Sequence, residues 1–403
     1  VHDETLGRKI VSRVTRRALT DSPGLQVCGV VGPSFELEQD SIHQAIKNIH
    51  GEFESVRSRL PGPSARFQRL PIVAECGISG LPAQRFAGIQ GDIPKHERGP
   101  HSAQSLAKLN ARNGWRQRLQ HLLEDNCSSL KRPYSTTAIE DLGCDWFAIV
   151  HADGNGLGQV FLNFDRYFKS DSTELVGQNR AYINQLRRFS LALDECTEKA
   201  FCHSLSVLRP KNGITPIVPL VLGGDDLTVV CDGRQALQFT QKFIECFERE
   251  TARHDGVTGI MPGVTSCAGV AIVKPHFPFF AGYELAEELL KSAKVLAKRD
   301  SKKPLSAIDF HVLYDASGPD WDRIRRELTC DHGETSLTAR PYLVRSESGL
   351  QERSWRDLVR RVTAVRARDE DRRRRLPNSM RRELREGLLL GREPAESRLR
   401  PNT

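Results

Sequence analysis

"VPLVLGGDDLTVVCDG" (Val218–Gly233) sets two apolar, strand-like runs on either side of Gly223-Gly224-Asp225-Asp226. The pattern reads as a hairpin over about 217–222 and 227–231, with two glycines and two adjacent carboxylates at its tip. A plain two-residue turn is better served by Asn-Gly or Asp-Gly. Two carboxylates about 4 Å apart repel by roughly 4 kcal/mol at an effective dielectric near 20. Either these acids sit in water or something positive sits between them. Pro219 cannot donate to a ladder, so the first hairpin strand is expected at a sheet edge.

Upstream, "DWFAIVHAD" reads as a strand ending at Asp153, followed by helical patterns over roughly 157–169 and 177–206. Downstream, "RQALQFTQKFIECFERETAR" places Ala236, Thr240, Phe243, Ile244 and Phe247 on one helical face. A strand ("VTSCAGVAIV"), a helix ("YELAEELLKSAKVLAKR") and a last strand ("SAIDFHVL") follow. The order β-α-β-β-α-β plus an extra α-β is the ferredoxin-like pattern of an α+β domain. In that topology the first and second strands are parallel, with the third between them and antiparallel to both. Asp153 is therefore expected to meet Asp225 and Asp226 at one edge of the sheet. Converging carboxylates without Cys or His suit a hard cation such as Mg²⁺. Two such ions activate a hydroxyl and stabilise leaving pyrophosphate.

The glycines fit this picture. Gly223 and Gly224 leave the backbone open to a base or phosphate. Gly154, Gly156 and Gly158, in "DGNGLG", present backbone N–H groups at a strand-to-helix turn. The same run is a poor calcium loop, because its twelfth position is Phe164 instead of Glu. Its G-x-G-x-G spacing also misses the dinucleotide fingerprint. On the helix "YELAEELLKSAKVLAKR", Leu285, Leu289, Ala293 and Leu296 form an apolar face. Lys291, Lys294 and Lys298 form another, read either as a shared phosphate contact led by Lys294 or as a solvated face.

The 403 residues allow two or three domains, and no apolar run approaches the ~18 residues that span a bilayer. Four segments are expected: 1–85, a partial degenerate α+β domain; 86–136, a linker around a helix; 137–316, the domain with the GGDD hairpin; and 317–403, Arg-rich and helical with a disordered end. In the first, "GLQVCGVVG" and "RLPIVAEC" are expected strands between two helices. The N-terminus has no apolar core or cleavage site, so no signal peptide is expected. The first residue is Val, as expected of a fragment or a processed product. None of the ten cysteines has C-x-x-C spacing, which points to a reducing cytoplasm over a disulfide framework. Of the net +8, residues 351–403 carry +7, with 16 Arg against 9 Asp and Glu. That segment is either an RNA-binding or acidic-partner surface or a solvated Arg/Glu helix.

"AIVHADGNGLG", "PLVLGGDDLTVV", "CAGVAIVKPHFPFFAGYELAEELLKSAK" and "SAIDFHVL" together resemble the second palm domain of the large polymerase/cyclase subunit of type III CRISPR effectors. That family is related to diguanylate cyclases and palm polymerases, and its palm makes cyclic oligoadenylates from ATP with divalent metal. The resemblance implies Mg²⁺ or Mn²⁺ held by Asp153, Asp225 and Asp226 with Gly154 beside them. It implies nucleotide contact by Gly154, Asn155, Gly156, Leu157, Gly158, Gly223, Gly224 and Lys294, with Lys291 and Lys298 on the same helix. "ECGISGLPA" looks like a zinc-binding segment reduced to Cys76. The chain looks like a standalone relative that lacks a nuclease H-D pair. A nucleotidyltransferase making a cyclic oligonucleotide signal in antiphage defence is the expected function. The alternative is a nucleotide- or RNA-binding palm without turnover, as a homodimer or among CRISPR-like effector subunits.

Overall fold

Two parallel strands with a third between them require that the hairpin strand adjoining the GGDD turn pair with both neighbours, and the chain folds that way. The computed structural model describes residues 3–62, 65, 67, 69–87, 98–126, 143–211, 215–299, 304–314, 320–330, 335–345, 353–370 and 373–399. The chain divides into two units, residues 1–121 with 159–186, and residues 122–158 with 187–403.

The first unit contains α1 (Glu4–Asp21), α2 (Ile42–Ser58), a hairpin of β1 (Arg85–Ala87) with β2 (Gly99–His101), and most of α3 (Ala103–Asn126). The helices were expected. The two strands expected at 24–32 and 69–76 are not strands in the described residues. The glycines explain the first: Gly29 lies against Val11 of α1, and Gly32 against Ile49 of α2. Packed on helices, that segment has no neighbouring strand among the described residues to satisfy a ladder. The expected linker is in part ordered, since β2 and α3 fall within it; residues 88–97 and 127–136 lie outside the described residues.

The second unit is built on a six-stranded sheet of order β10-β7-β6-β3-β5-β4. Its members are β3 (Phe147–Gly154), β4 (Ile217–Gly223), β5 (Asp226–Asp232), β6 (Ser266–Val273), β7 (Ala307–Val312) and β10 (Tyr342–Leu343). β5 is antiparallel to both β3 and β4, β6 is antiparallel to β3, and β7 is parallel to β6. This is the ferredoxin-like order β6-β3-β5-β4 with two added strands, β7 and β10, beyond β6. β4 is the edge strand, and its register shifts between Pro219 and Val221, where the proline cannot donate. A separate pair, β8 (Thr329–Cys330) with β9 (Thr335–Ser336), follows.

Helices in chain order are α4 (Leu157–Leu162), α5 (Leu175–Ser204), α6 (Ala236–Thr251), α7 (Asp255–Thr258), α8 (Phe279–Ala297), α9 (Trp321–Glu327), α10 (Trp355–Arg366), α11 (Asn378–Leu390) and α12 (Arg392–Leu399). Ala236, Thr240, Phe243, Ile244 and Phe247 of α6 are all buried, as their spacing requires. α8 buries Leu285, Leu289, Ala293 and Leu296, and its Leu285, Ala286 and Leu289 share a core with Phe147, Ile149, Val230 and Ala271. Strand alternation then places His151 and Asp153 of β3 on that same α8-facing side.

The C-terminal segment is more ordered than expected. β10 extends the sheet beside β7, and Trp355 is buried with its indole N–H donating to Gln241 at 2.8 Å. The end expected to be disordered is helical over Arg392–Leu399, because Gly387 of α11 admits the backbone of Ala395. Residues 400–403 lie outside the described residues.

At Gly269 of β6 the backbone of α8 comes close to the sheet. A Cβ there would stand 2.0 Å from the Ala286 carbonyl oxygen and 2.5 Å from the Leu290 nitrogen. Neither backbone can give way, so Gly269→Ala is expected to cost about 3 kcal/mol or more. Urea denaturation of the purified variant checks this.

Candidate metal and nucleotide site

Register decides which acids meet. Ala152 pairs with Leu227 in the β3–β5 ladder, so the next residues outward are Asp153 and Asp226, and Asp225 precedes them in the turn. One oxygen from each of Asp153, Asp225 and Asp226 lies within 4.8 Å of the others. Gly223 leads into the turn, and Gly224 adopts φ +61°, a conformation that glycine takes at little cost. Asp194 and Thr197 of α5 hold this turn: the Asp194 carboxylate accepts from the Gly224 N–H at 2.9 Å, and the Thr197 hydroxyl donates to the Gly224 carbonyl at 2.6 Å.

Gly154 is required for the convergence. A Cβ on it would lie 2.8 Å from an Asp225 oxygen and 2.7 Å from Leu157. The bare backbone also lets the Gly154 amide reach the Asp225 carboxylate, which favours its charged form. Burial and the neighbouring Asp226 outweigh that, and raise the Asp225 pKa to about 6. Asp226 is likewise raised, chiefly by burial. Two part-buried carboxylates that resist ionising, side by side, are a site that a cation would stabilise.

Lys294 of α8 is ion-paired with Asp153. Burial lowers the Lys294 pKa, and the neighbouring Lys298 charge lowers it further. Lys291 is exposed and bonded to Glu288 at 2.7 Å, and Lys298 is exposed at the C-cap of α8. Of the three lysines expected to act together, Lys294 is the one in contact with the acids.

The "DGNGLG" turn divides by role. Gly156, at φ +78°, and Gly158 are open to solvent. Leu157 is buried in the core. Asn155 is only 6% exposed; its side-chain amide donates to Thr265 at 3.0 Å and to the Leu305 carbonyl at 3.2 Å. Its amide group ties the turn to the strands behind it.

Sequence reasoning missed His151, Thr228, Tyr283 and Asp194. His151 Nδ1 lies 2.9 Å from the Thr228 hydroxyl, and its ring lies against Tyr283 at 5.4 Å between centroids. Burial lowers the His151 pKa, and Asp226 works against that. The period-two pairs His151/Asp153 and Asp226/Thr228 carried the signal for two of these residues. Asp194 had no local signal, since it meets the turn from 30 residues away.

Residues 146–303 match the family model of the Cas10/Cmr2 second palm domain, which bears out the resemblance over the domain that carries the acids. Solved structures similar to this chain include the Csm1-Csm4 cassette in complex with cA4, at 14% identity over 59% of this chain and 32% of that one, TM-score 0.30. They also include the cassette in complex with cA3, at 14% identity over 40% and 20%, TM-score 0.27. A third is Csm1 of T. onnurineus, at 15% identity over 42% and 22%, TM-score 0.27. The chain thus spans between about a fifth and a third of the length of those chains. No curated protein matches it in sequence. Among the described residues, no helix is long and apolar enough to cross a membrane.

Two outcomes follow from the geometry. Because the folded pKa of Asp225 is raised, the folded state binds more protons than the unfolded chain between about pH 4 and its own pKa near 6. Stability is therefore expected to fall as pH rises through that window. Asp225→Asn removes the loss, and gains on the order of 2 kcal/mol over wild type at pH 8 but nothing at pH 4, read from denaturation curves. Gly154→Ala is expected to displace Asp225 and weaken Mn²⁺ binding by about 10–100-fold while the protein still folds, as measured by calorimetric titration.

Proposed function

We propose that this protein is a metal-dependent nucleotidyltransferase that condenses ATP, or another NTP, into a cyclic oligonucleotide signal in antiphage defence. The observation that carries this reading is the three-carboxylate cluster, with oxygens within 4.8 Å, at the ends of a palm-type sheet. In the reaction, the 3′-oxygen of one nucleotide bonds to the α-phosphorus of another. The bond to the β-phosphate breaks, pyrophosphate leaves and the hydroxyl proton passes to solvent.

The donor set fits Mg²⁺ or Mn²⁺: three hard oxygen ligands, two of them with raised pKa values that a nearby cation reverses. Asp153, Asp225 and Asp226 would hold the ions beside the Gly154 backbone. Bound there, they would supply Lewis-acid stabilisation of the phosphates and a more acidic attacking hydroxyl. The chain itself does the positioning. Lys294 brings a point charge to the carboxylates from α8, where a triphosphate needs one. The Gly223-Gly224 turn, braced by Asp194 and Thr197, offers open backbone against which a base or ribose can lie. Gly156 and Gly158 leave the turn after β3 bare of side chains. His151, held neutral by burial and engaged by Thr228, lines the site as a hydrogen-bonding group.

A second reading is a palm that binds a nucleotide or RNA without turnover, as a homodimer or beside effector subunits of CRISPR type. The Lys294–Asp153 ion pair favours it, because it neutralises one of the three acids. The Arg-rich C-terminal segment supplies an RNA or acidic-partner surface under either reading. A cytoplasmic setting belongs to both.

Purified protein incubated with labelled ATP, GTP, CTP or UTP and Mg²⁺ or Mn²⁺ is expected to yield phosphodiester products and pyrophosphate. The Asp225→Ala, Asp226→Ala double variant is expected to fall to the buffer blank. Saturable nucleotide binding with no product under any condition would select the second reading. RNA affinity falling steeply with salt would place the basic segment in it.

A further inference from the structure

Two tetrapeptides in the first unit share a spacing: Cys76-Gly-Ile-Ser79 and Ser102-Ala-Gln-Ser105. Each has side chains at the ends of an x-x interval, the spacing with which paired ligands hold structural zinc. Folding brings all four together. Cys76 Sγ lies 3.3 Å from Ser105 Oγ, Ser79 Oγ lies 2.9 Å from Ser102 Oγ, and Ser102 Oγ donates to Ser105 Oγ at 3.2 Å. The four side chains thus form one continuous hydrogen-bonded chain, Cys76–Ser105–Ser102–Ser79. Cys76 and Ser102 are each 2% exposed.

The backbone around them is shaped for the same purpose. The Gly80 N–H donates to the Cys76 carbonyl at 2.8 Å, with Gly80 at φ +63°, so the first pair sits on a tight turn. The Cys76 N–H donates to Leu81 at 2.8 Å, closing the base of that turn. The second pair opens α3: Ser102 precedes its first residue and accepts from the Ser105 N–H at 3.2 Å. A turn with C-x-x-S-G and a helix start with S-x-x-S face one another.

Ligand chemistry excludes zinc from this set as it stands. Structural zinc takes thiolate, imidazole or carboxylate, and its ligands must be deprotonated. Three serine hydroxyls keep their protons and cannot balance the metal's charge. Hydroxyls can do something else. Each rotates to donate once and accept, so four small polar groups satisfy one another without an ion. Contacts of 2.9–3.3 Å are also shorter than the edge of about 3.8 Å that four sulfurs at 2.3 Å from zinc would span.

We propose that Cys76, Ser79, Ser102 and Ser105 form a metal-free substitute for a four-thiolate zinc centre: a hydrogen-bonded chain of side chains that pins the 76–80 turn to the start of α3. The backbone positions of the tetrahedral site are retained, and only the ligand atoms have changed.

The test is the full-length Ser79→Cys, Ser102→Cys, Ser105→Cys triple variant, with Co²⁺ and Zn²⁺ as probes. The variant is expected to take up one Co²⁺ per chain with the thiolate charge-transfer bands of a tetrahedral centre, displaced by Zn²⁺. Wild type shows no such bands, and adding Cys76→Ser to the triple variant abolishes them. Zinc is expected to raise the melting temperature through this site in the triple variant only. A folded triple variant that shows three more titratable thiols than wild type when denatured, yet binds no metal, overturns the proposal, as does a wild type that shows the thiolate bands itself. If the triple variant folds only when refolded with Zn²⁺, the proposal stands; if it fails to fold with zinc as well, it falls.

Discussion

The antiparallel register between β3 and β5 is the constraint from which the site follows. With Ala152 opposite Leu227, Asp153 near the end of one strand and Asp226 at the start of the other have no choice but to approach. A slip of one residue would turn Asp153 to the other face of the sheet, away from α8 and Lys294. The register is fixed by what lies behind it. Phe147 and Ile149 are committed to the core under α8, and Val230 of β5 shares that core. Apolar burial in the middle of the sheet thus sets the spacing of charges at its end.

Those charges are held at a cost that other groups share out. Gly154 gives up a side chain so that Asp225 can fold over it. Asp194 and Thr197 spend their hydrogen bonds on the Gly224 peptide, which keeps the turn from opening under repulsion. Lys294 provides the only ion pair formed by the three acids among the described residues. Asn155 and Leu157, inside the glycine-rich turn, serve as its anchors, while Gly156 and Gly158 remain accessible. A loop that reads as one functional unit in the sequence is half support and half surface.

The second unit was legible because its signals are local or periodic. Alternation gave the strands, the 3.6-residue spacing gave α6 and α8, and Pro219 marked the edge strand. Once the topology was in hand, the meeting of Asp153 with Asp225 and Asp226 needed no further information. What the sequence hid were contacts set by distance along the chain: Asp194 on the turn, and Tyr283 on His151. In the first unit, "GLQVCGVVG" has the composition of a strand but faces helices on the two sides its glycines open to. Composition does not tell a chain whether a partner strand exists. β10 was missed for the opposite reason: two residues are too few for a pattern, and it is the sheet that recruits them.

That short strand changes the standing of everything after residue 317. β10 covers the outer rim of β7 at Ala307 and Ile308, and Arg340 reaches the Phe310 carbonyl just beyond. Asp309, wholly enclosed, is bonded to Arg325. Strip these away and β7 presents a row of unanswered amides and carbonyls over apolar side chains, the kind of border that seizes strands from neighbouring molecules. The arginine-bearing segment is therefore less an appendage than the hem that keeps the sheet from fraying into aggregates.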